Sequence, residues 1–355
     1  ISALPKDGKL HRDKFGSTAE IFKATTTQLT EVEGIGEKTA YSILQPDLEK
    51  KAEEEIRRTQ KEGVQIIIFD SPFYPSFLKS IPDPPIVLYV KGEIETISSL
   101  SVGVVGTRRP SYYGTSFAEK ITSGLSSVGL TIVSGLALGI DTTAHSTALK
   151  CKTKTIAVLP TGMDSIYPPE NKKLAEQIVT QGALVSEFPY GLPVRREFFS
   201  RRNRIITGIS QCLVVIEAPF GSGALITAQY AADYGRDVFA LPGRVDSHLS
   251  KGTNRLIKDG AMLIENADDV LARIAPQLIA QKRELDEQSE KEEIFIPNLS
   301  EIEKEIYKAV ELDPKNIDDI AVECKRLAQE VSATLLALQL KKLVVQLPGN
   351  MYVRK

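Results

Sequence analysis

Seven short apolar runs, most of them separated by amphipathic helical patterns, constrain the fold of residues 84–275 more than any other feature. The runs are 101–106, 131–134, 155–159, 183–187, 212–217, 237–241 and 261–264. Near-continuous apolar strands that alternate with helices are typical of a mostly parallel sheet covered on both faces. The pattern predicts a doubly wound α/β domain, which binds ligands beyond the carboxyl ends of its strands.

Glycine-rich turns follow two of these runs. Gly106 ends the first run and Arg108 follows it, and Gly221, Ser222 and Gly223 follow the fifth run. Glycine lets backbone N–H groups approach an anion, and the N-terminus of the next helix favours negative charge. The two turns together predict a phosphate-binding cradle, although glycine in a single turn also serves close packing of a helix on a sheet.

Residues 195–206 place five arginines around two phenylalanines, directly before an apolar segment. Arginine binds a phosphate bidentately, and an aromatic ring stacks on a base. We therefore predict an arginine–phenylalanine loop that fits a polymer with a charged backbone and flat bases. The alternative is a solvated arginine-rich loop whose two rings lie in the core.

Composition limits where a nucleic acid could bind and where the protein works. The formal net charge is −2, so a nucleic-acid site must be a local patch. The three cysteines are scattered and form no Cys-x-x-Cys pair, which indicates a reducing compartment. Without an apolar run of membrane-spanning length or a secretory signal, we expect a cytoplasmic protein that does not bind membranes.

The titratable residues do not assemble a convincing reaction centre. Asp141 and His145 lie one helical turn apart, as a catalytic orienter and base or, alternatively, as a helix cap and a structural histidine. Glu187 and Glu217 end two strand runs, but no nucleophile with a matching base accompanies them. The sequence predicts no metal site and no cofactor.

The segments on either side of the sheet are helical in pattern. Residues 1–80 contain Gly34-Ile35-Gly36 ahead of Lys38, which predicts a helix-hairpin-helix motif or, alternatively, an ordinary helical corner. Residues 276–297 read as a charged linker. Residues 298–355 predict three helices and a hairpin around Pro348-Gly349-Asn350, a winged helix that contacts either DNA or protein.

Residues 84–275 resemble the DNA-processing protein A family (DprA/Smf). The motifs that carry the resemblance occur in order: Val-Gly-Thr-Arg (105–108), Ser-Gly-Leu-Ala-Leu-Gly-Ile-Asp (134–141), Pro-Thr-Gly-Met-Asp (160–164), Ser-Glu-Phe-Pro (186–189), Phe-Ser-Arg-Arg-Asn-Arg-Ile-Ile (199–206) and Gly-Ser-Gly-Ala-Leu-Ile-Thr-Ala (221–228). The flanks resemble the sterile-alpha-motif-like or helix-hairpin-helix domain and the winged helix that many members carry.

The resemblance implies an extended Rossmann domain and a non-catalytic protein. Such a protein binds incoming single-stranded DNA during natural transformation, protects it and helps to load the RecA recombinase. The implied partners are therefore single-stranded DNA, RecA and a second copy of the chain bound through the Rossmann domain, with single-strand-binding protein as a further partner. The alternative is a Rossmann-type nucleotide hydrolase or phosphoribohydrolase, which would need fewer cationic anchors.

Carried over motif by motif, the resemblance also implies the DNA-binding residues. These are Gly106, Arg108, Arg196, Phe199, Arg201, Arg202, Asn203, Arg204, Gly221, Ser222 and Gly223. Part of the Arg-Asn-Arg run could instead be buried against a strand-end acid such as Glu217. The sequence departs from the family pattern at Leu138, Ser200 and Ala224, which weakens individual contacts.

Overall fold

The structure, a computed structural model, describes residues 15, 18–45, 47–278, 299–311 and 313–354. The chain forms two compact units that divide between residues 283 and 284. The larger unit contains the sheet and the N-terminal helices, and the smaller unit contains the C-terminal helices.

A nine-stranded sheet forms the centre of the larger unit. Its strands are β1 (Val64–Ile68), β2 (Val87–Gly92), β3 (Ser101–Gly106), β4 (Thr131–Ser134), β5 (Thr155–Val158), β6 (Ala183–Ser186), β7 (Cys212–Ile216), β8 (Asp237–Ala240) and β9 (Met262–Leu263). Their spatial order is β1-β2-β6-β5-β4-β3-β7-β8-β9. All pairs from β6 to β9 are parallel, whereas β2 runs antiparallel to both β1 and β6. The seven predicted runs are thus confirmed as strands of a mostly parallel sheet.

Helices cover both faces of this sheet. The helices described in the larger unit are α1 (Thr18–Lys23), α2 (Thr26–Thr30), α3 (Glu37–Ile43), α4 (Leu48–Lys61), α5 (Ser76–Lys79), α6 (Tyr112–Ser127), α7 (Ile140–Lys150), α8 (Lys172–Gln181), α9 (Arg196–Ile209), α10 (Gly223–Asp233), α11 (Lys251–Lys258) and α12 (Ala267–Ile274). Val102 and Val104 pack toward α6 and α7, whereas Val105 packs in the opposite core with α9 and α10. This two-residue alternation between two cores explains why the strands are apolar throughout.

Two predictions about secondary structure are wrong. The predicted helical region 1–80 contains β1, which pairs with β2 over the whole length of the strand. The predicted arginine-rich loop is the first half of α9, an unbroken helix from Arg196 to Ile209. Ile205, Ile206 and Ile209 anchor this helix in the core beneath the sheet, and that burial favours a helix despite the charged residues before them.

The N-terminal helices pack around a small core of their own. Leu29, Val32, Ile35, Ala40 and Ile43 are buried in it. Gly34 adopts a φ of +86° in the turn between α2 and α3, a backbone conformation that residues other than glycine rarely adopt. The predicted turn is therefore present and requires glycine at position 34, whereas Gly36 has an ordinary extended backbone and precedes α3 as its N-cap.

The smaller unit has the predicted winged-helix content. It consists of α13 (Glu301–Ala309), α14 (Ile317–Glu323), α15 (Ala328–Leu340), β10 (Lys315–Asn316), β11 (Val344–Leu347) and β12 (Met351–Arg354). Its strands form a sheet in the order β10-β12-β11. Most of the predicted linker 276–297 lies outside the described residues, which resume at 299.

Candidate nucleic-acid interface

The loops that follow β3, β4 and β5 meet the first turn of α9 at the carboxyl edge of the sheet. Together they enclose a cavity of about 50 Å³. Its lining residues are Arg108, Gly135, Ala137, Leu138, Tyr167, Pro168, Phe199 and Arg202. The structure thus brings the predicted residues Arg108 and Phe199 into one site, at the edge where a doubly wound sheet binds ligands.

The ring of Phe199 is held between a cation and a second ring. The exposed Arg108 guanidinium lies 5.5 Å from the centre of the Phe199 ring. Tyr167 meets the same ring edge to face, with 5.4 Å between the centroids. A guanidinium that lies over an aromatic ring is attracted by the electron-rich ring face and can still donate hydrogen bonds at its own edge. This arrangement combines an anion-binding group with aromatic surface in one place.

Two glycines allow the turns at this edge to approach each other. A Cβ atom at Gly106 would collide with the Ile216 carbonyl oxygen and with the Ile140 side chain. A Cβ atom at Gly139, where φ is +78°, would collide with the Thr107 carbonyl oxygen. In the structure Gly106 therefore serves close packing of β3, β7 and α7, and its contact with a phosphate stays a prediction.

The predicted site residues on α9 lie partly in solvent and partly in the core. Arg196 and Arg201 are exposed, Phe199 and Ser200 are partly buried, and Arg202, Asn203 and Arg204 are buried. The residues that follow Arg201 face the sheet and α10, whereas the first turns project from the carboxyl edge. Only the first half of the helix is open to solvent, so a contact with DNA stays a prediction for Arg196, Phe199 and Arg201.

Arg204 is a buried structural residue, so the structure gives no support to its predicted contact with DNA. Its guanidinium pairs with the buried Glu187 carboxylate and donates to the Asp83 carbonyl oxygen. Arg201 approaches the same Glu187 carboxylate from the solvent side, with 3.1 Å between Nε and Oε1. Burial raises the pKa of Glu187, and the charges of Arg204 and Arg201 oppose that rise. Part of the run is indeed buried against a strand-end acid, but that acid is Glu187 and not Glu217.

Arg202 and Asn203 are also structural. The Arg202 guanidinium donates to the Gly135 carbonyl oxygen and, at 2.6 Å, to that of Val158. Its pKa is lowered by burial to about 10, so it stays charged at neutral pH. Asn203 Nδ2 donates to the Gly223 carbonyl oxygen at 3.4 Å, which ties α9 to the start of α10. Both side chains hold the carboxyl edge together and are withdrawn from solvent.

The residues considered for catalysis have structural partners. Asp141 accepts hydrogen bonds from the Gly135 and Ala137 N–H groups, at 3.1 and 3.3 Å. His145 is buried with Nδ1 2.7 Å from the Thr155 hydroxyl, and burial and the charge of Arg202 lower its pKa to about 3. The Glu217 carboxylate accepts from the Ser111 N–H group at 2.8 Å and so holds the start of α6. The structural alternative fits His145, whereas Asp141 holds the loop before α7 and does not cap that helix, whose N-cap residue is Gly139.

The turn between β7 and α10 forms a second open surface at the same edge. Gly221 has a φ of +76°, and a Cβ atom at Gly221 or Gly223 would meet no other atom within 4 Å. The Ser222 hydroxyl accepts from the Ala224 N–H group at 3.3 Å and caps α10. The preceding residue, Phe220, is 63% exposed. The predicted cradle is therefore accessible, and an exposed ring stands beside it.

Sequence reasoning missed the contacts that fix the segment between β6 and α9. Glu55 Oε1 accepts from the Tyr190 N–H group at 2.9 Å, and Arg58 lies 4.3 Å from the Tyr190 ring centre. Asp164 accepts from the Gly191 N–H group at 2.9 Å and pairs with Arg58 at 3.1 Å. Helix α4 thus holds the segment that leads into Arg196. No local pattern signals these contacts, because they join residues far apart in the chain.

Comparison with known proteins identifies the family. The family model described as DNA recombination-mediator protein A matches residues 65–275. The chain belongs to the DNA recombination-mediator protein A family. Models for a helix-hairpin-helix motif and for the DprA winged helix domain match residues 17–45 and 295–350. The resemblance of the sequence to DprA/Smf is thereby confirmed in the sheet and in both flanks.

Members of the DNA recombination-mediator protein A family resemble the chain over most of its length. Protein Smf from Synechocystis sp. is 39% identical over 94% of this chain and 91% of that protein. DNA processing protein DprA from Streptococcus pneumoniae is 44% identical over 56% of this chain and 70% of that protein. The X-ray structure of the S. pneumoniae DprA covers 77% of this chain and 96% of its own, with 34% identity and a TM-score of 0.65.

A second DprA structure with a similar fold is described together with single-stranded DNA binding. DprA from Helicobacter pylori matches 60% of this chain and 96% of its own at 30% identity, with a TM-score of 0.55. That protein is described by its single-stranded DNA binding mode. In the described part of the present chain, no helix has the length and apolarity to cross a membrane. Among the same residues, no three His, Cys, Asp or Glu side chains are grouped as a metal would require.

Proposed function

We propose that this protein binds single-stranded DNA along the carboxyl edge of the sheet and acts on it without turnover. The observation that carries the proposal is the stack of Arg108 on Phe199, with Tyr167 against the same ring, next to the exposed Arg196 on α9. Cations take the phosphates and rings take the bases, the combination by which proteins hold single strands without sequence preference.

Family membership supports a place for this binding in recombination. The chain belongs to a family described as recombination mediators, and a DprA relative is described by its binding of single-stranded DNA. We propose that the protein protects incoming DNA during natural transformation and helps to load RecA, as a dimer formed through the sheet domain. Single-strand-binding protein is the further partner in this proposal.

A salt titration with labelled oligo-dT tests the proposal. Affinity should fall steeply with salt, because each neutralised phosphate releases counterions. Arg108→Ala should weaken binding and lower the slope of log K against log salt by about 0.7, the value expected for one phosphate on a single strand. The matched control is Arg273→Ala. Arg273 pairs with Asp237 at the amino end of β8, away from the carboxyl edge of the sheet. Salt-independent binding, or steady release of a base from a mononucleotide, would contradict the proposal.

A further inference from the structure

We propose that Phe220 is a base-stacking residue, which extends the DNA track from the Arg108–Phe199 stack to the turn after β7. This inference rests on the proposed function, because it assigns a further contact to the same single strand. It concerns a residue outside the predicted site set. The ligand it implies is a strand of at least two nucleotides rather than a free nucleotide.

The exposure of Phe220 contrasts with its surroundings in the chain. Residues 212–218 are all buried, and the chain then turns outward so that the Phe220 side chain is 63% exposed. Within the described residues, Phe220 stacks on no other ring and on no cation, whereas Phe199 has both partners. A single exposed ring is common on protein surfaces, so its position decides whether it is a site.

The sheet places Phe220 beside the proposed DNA site. Strand β7 is the neighbour of β3, with Gly106 opposite Ile216, so the carboxyl ends of the two strands lie about 4.8 Å apart. The Thr107 N–H group donates to the Glu217 carbonyl oxygen at 2.7 Å, which keeps these turns together beyond the strand ends. The turn that carries Phe220 is therefore adjacent to the turn that carries Arg108.

Helix α9 makes a second connection between the two rings. Asn203 lies one helical turn after Phe199 and donates to the Gly223 carbonyl oxygen at 3.4 Å. The glycine turn that follows Phe220 is open, because a Cβ atom at Gly221 or Gly223 would meet no other atom within 4 Å. An exposed ring and an open stretch of backbone therefore stand on the turn next to the one that carries Arg108. Rings that stack on bases and open backbone that approaches a phosphate suit a single strand.

The absence of tryptophan from this chain allows a direct test. Phe220→Trp in the full chain introduces a single indole, whose emission should be quenched as oligo-dT binds, at the concentration where a labelled oligo-dT saturates. The matched control is Phe73→Trp, because Phe73 is 50% exposed and its carbonyl oxygen bonds Ser98, which precedes the amino end of β3. Emission from the control should not change.

Binding measurements with Phe220→Ala provide the second readout. Loss of one stacked base should weaken oligo-dT binding roughly tenfold. The slope of log K against log salt should not change, because no charge is removed. Phe220→Tyr should restore the affinity, and an abasic oligonucleotide of equal length should bind wild type and Phe220→Ala alike.

The two proposals fail in different ways. If wild type binds oligo-dT with a steep salt dependence that Arg108→Ala flattens, while Phe220→Ala binds like wild type, the stacking inference is wrong and the proposed function stands. Unquenched emission from Phe220→Trp at saturation would lead to the same conclusion. If wild type itself does not bind, the proposed function fails and the inference fails with it.

Discussion

The two halves of α9 carry the same guanidinium chemistry in opposite surroundings. Arg196 and Arg201 project from the carboxyl edge into solvent, whereas the Arg204 side chain is 4% exposed and pairs with Glu187. Arg201 and Arg204 even share that carboxylate, one from each side. The comparison shows that position relative to the sheet decides what an arginine does here. The buried half builds the edge, and the exposed half is available to a ligand.

The largest effect is expected from the buried half. Arg204→Met removes one partner of a buried ion pair while keeping most of the side-chain volume, so the free energy of unfolding should fall by about 3–5 kcal/mol. Urea unfolding followed by circular dichroism measures it. The control is Arg201→Met, half-exposed and paired with the same carboxylate, which should cost less than about 1 kcal/mol. Equal losses for the two variants would remove the distinction between the halves.

A pH effect on stability should come from His145, which lies near the buried charge of Arg202. Its folded pKa of about 3 lies below the unfolded value of about 6.5, so the unfolded state binds the extra proton between these values. Stability should therefore fall by about 2 kcal/mol between pH 6.5 and 5.

A comparison of wild type with His145→Asn isolates that contribution. In urea titrations at pH 7, 6 and 5, the free energy of unfolding of the variant should not show this fall with decreasing pH. Asp141, whose pKa is raised by burial, contributes in the opposite direction, and it does so in both proteins. Parallel pH profiles for the two proteins would show that His145 titrates normally.

The exposed half should affect binding and leave stability unchanged. Arg196→Ala should weaken oligo-dT binding several-fold and lower the salt slope by about 0.7. Its free energy of unfolding should stay within about 0.5 kcal/mol of wild type, as expected for an exposed side chain without a buried partner. Anisotropy titrations at three salt concentrations and one urea curve suffice. A loss of stability that matches the loss of affinity would place Arg196 with the buried half.

The smallest effect is expected at Arg201, which stands between the two classes. Its guanidinium is half-exposed, but the Glu187 carboxylate takes part of its charge. Arg201→Ala should therefore lower oligo-dT affinity less than Arg196→Ala under the same salt conditions. A larger drop for Arg201→Ala would show that the strand crosses the last exposed turn of α9 rather than the first.

The parallel sheet could be predicted because its strands are buried on both faces and are therefore apolar at every position. The fate of Arg202 and Arg204 could not be predicted in the same way. Their partners are Gly135, Val158, Asp83 and Glu187, and each is distant in sequence. A run of arginines indicates charge, but it does not indicate which members face a carbonyl oxygen on a neighbouring strand.

Helix α9 itself was predicted as a loop for a related reason. Charged residues make up most of its first half, while the aliphatic residues that hold it on the sheet begin only at Ile205. The open turn at Gly221 and the position of Phe199 at the carboxyl edge could be predicted from the sequence. Each lies either in the turn after a strand or in the first turn of the helix that follows, and in a parallel sheet such positions lie at the carboxyl edge. The contacts of Arg58 and Glu55 with the segment before α9 follow only from the three-dimensional packing.

The antiparallel pair at the start of the sheet has a practical consequence for shortened versions of the protein. Leu88, Tyr89 and Val90 of β2 are buried in succession, as suits a strand with neighbours on both sides. β1 is partly exposed and carries Gln65, as suits the outermost strand. A chain that began at residue 84 would leave β2 at the rim with unpaired N–H and carbonyl groups, a surface prone to aggregation. A soluble fragment of the sheet should therefore begin ahead of Val64.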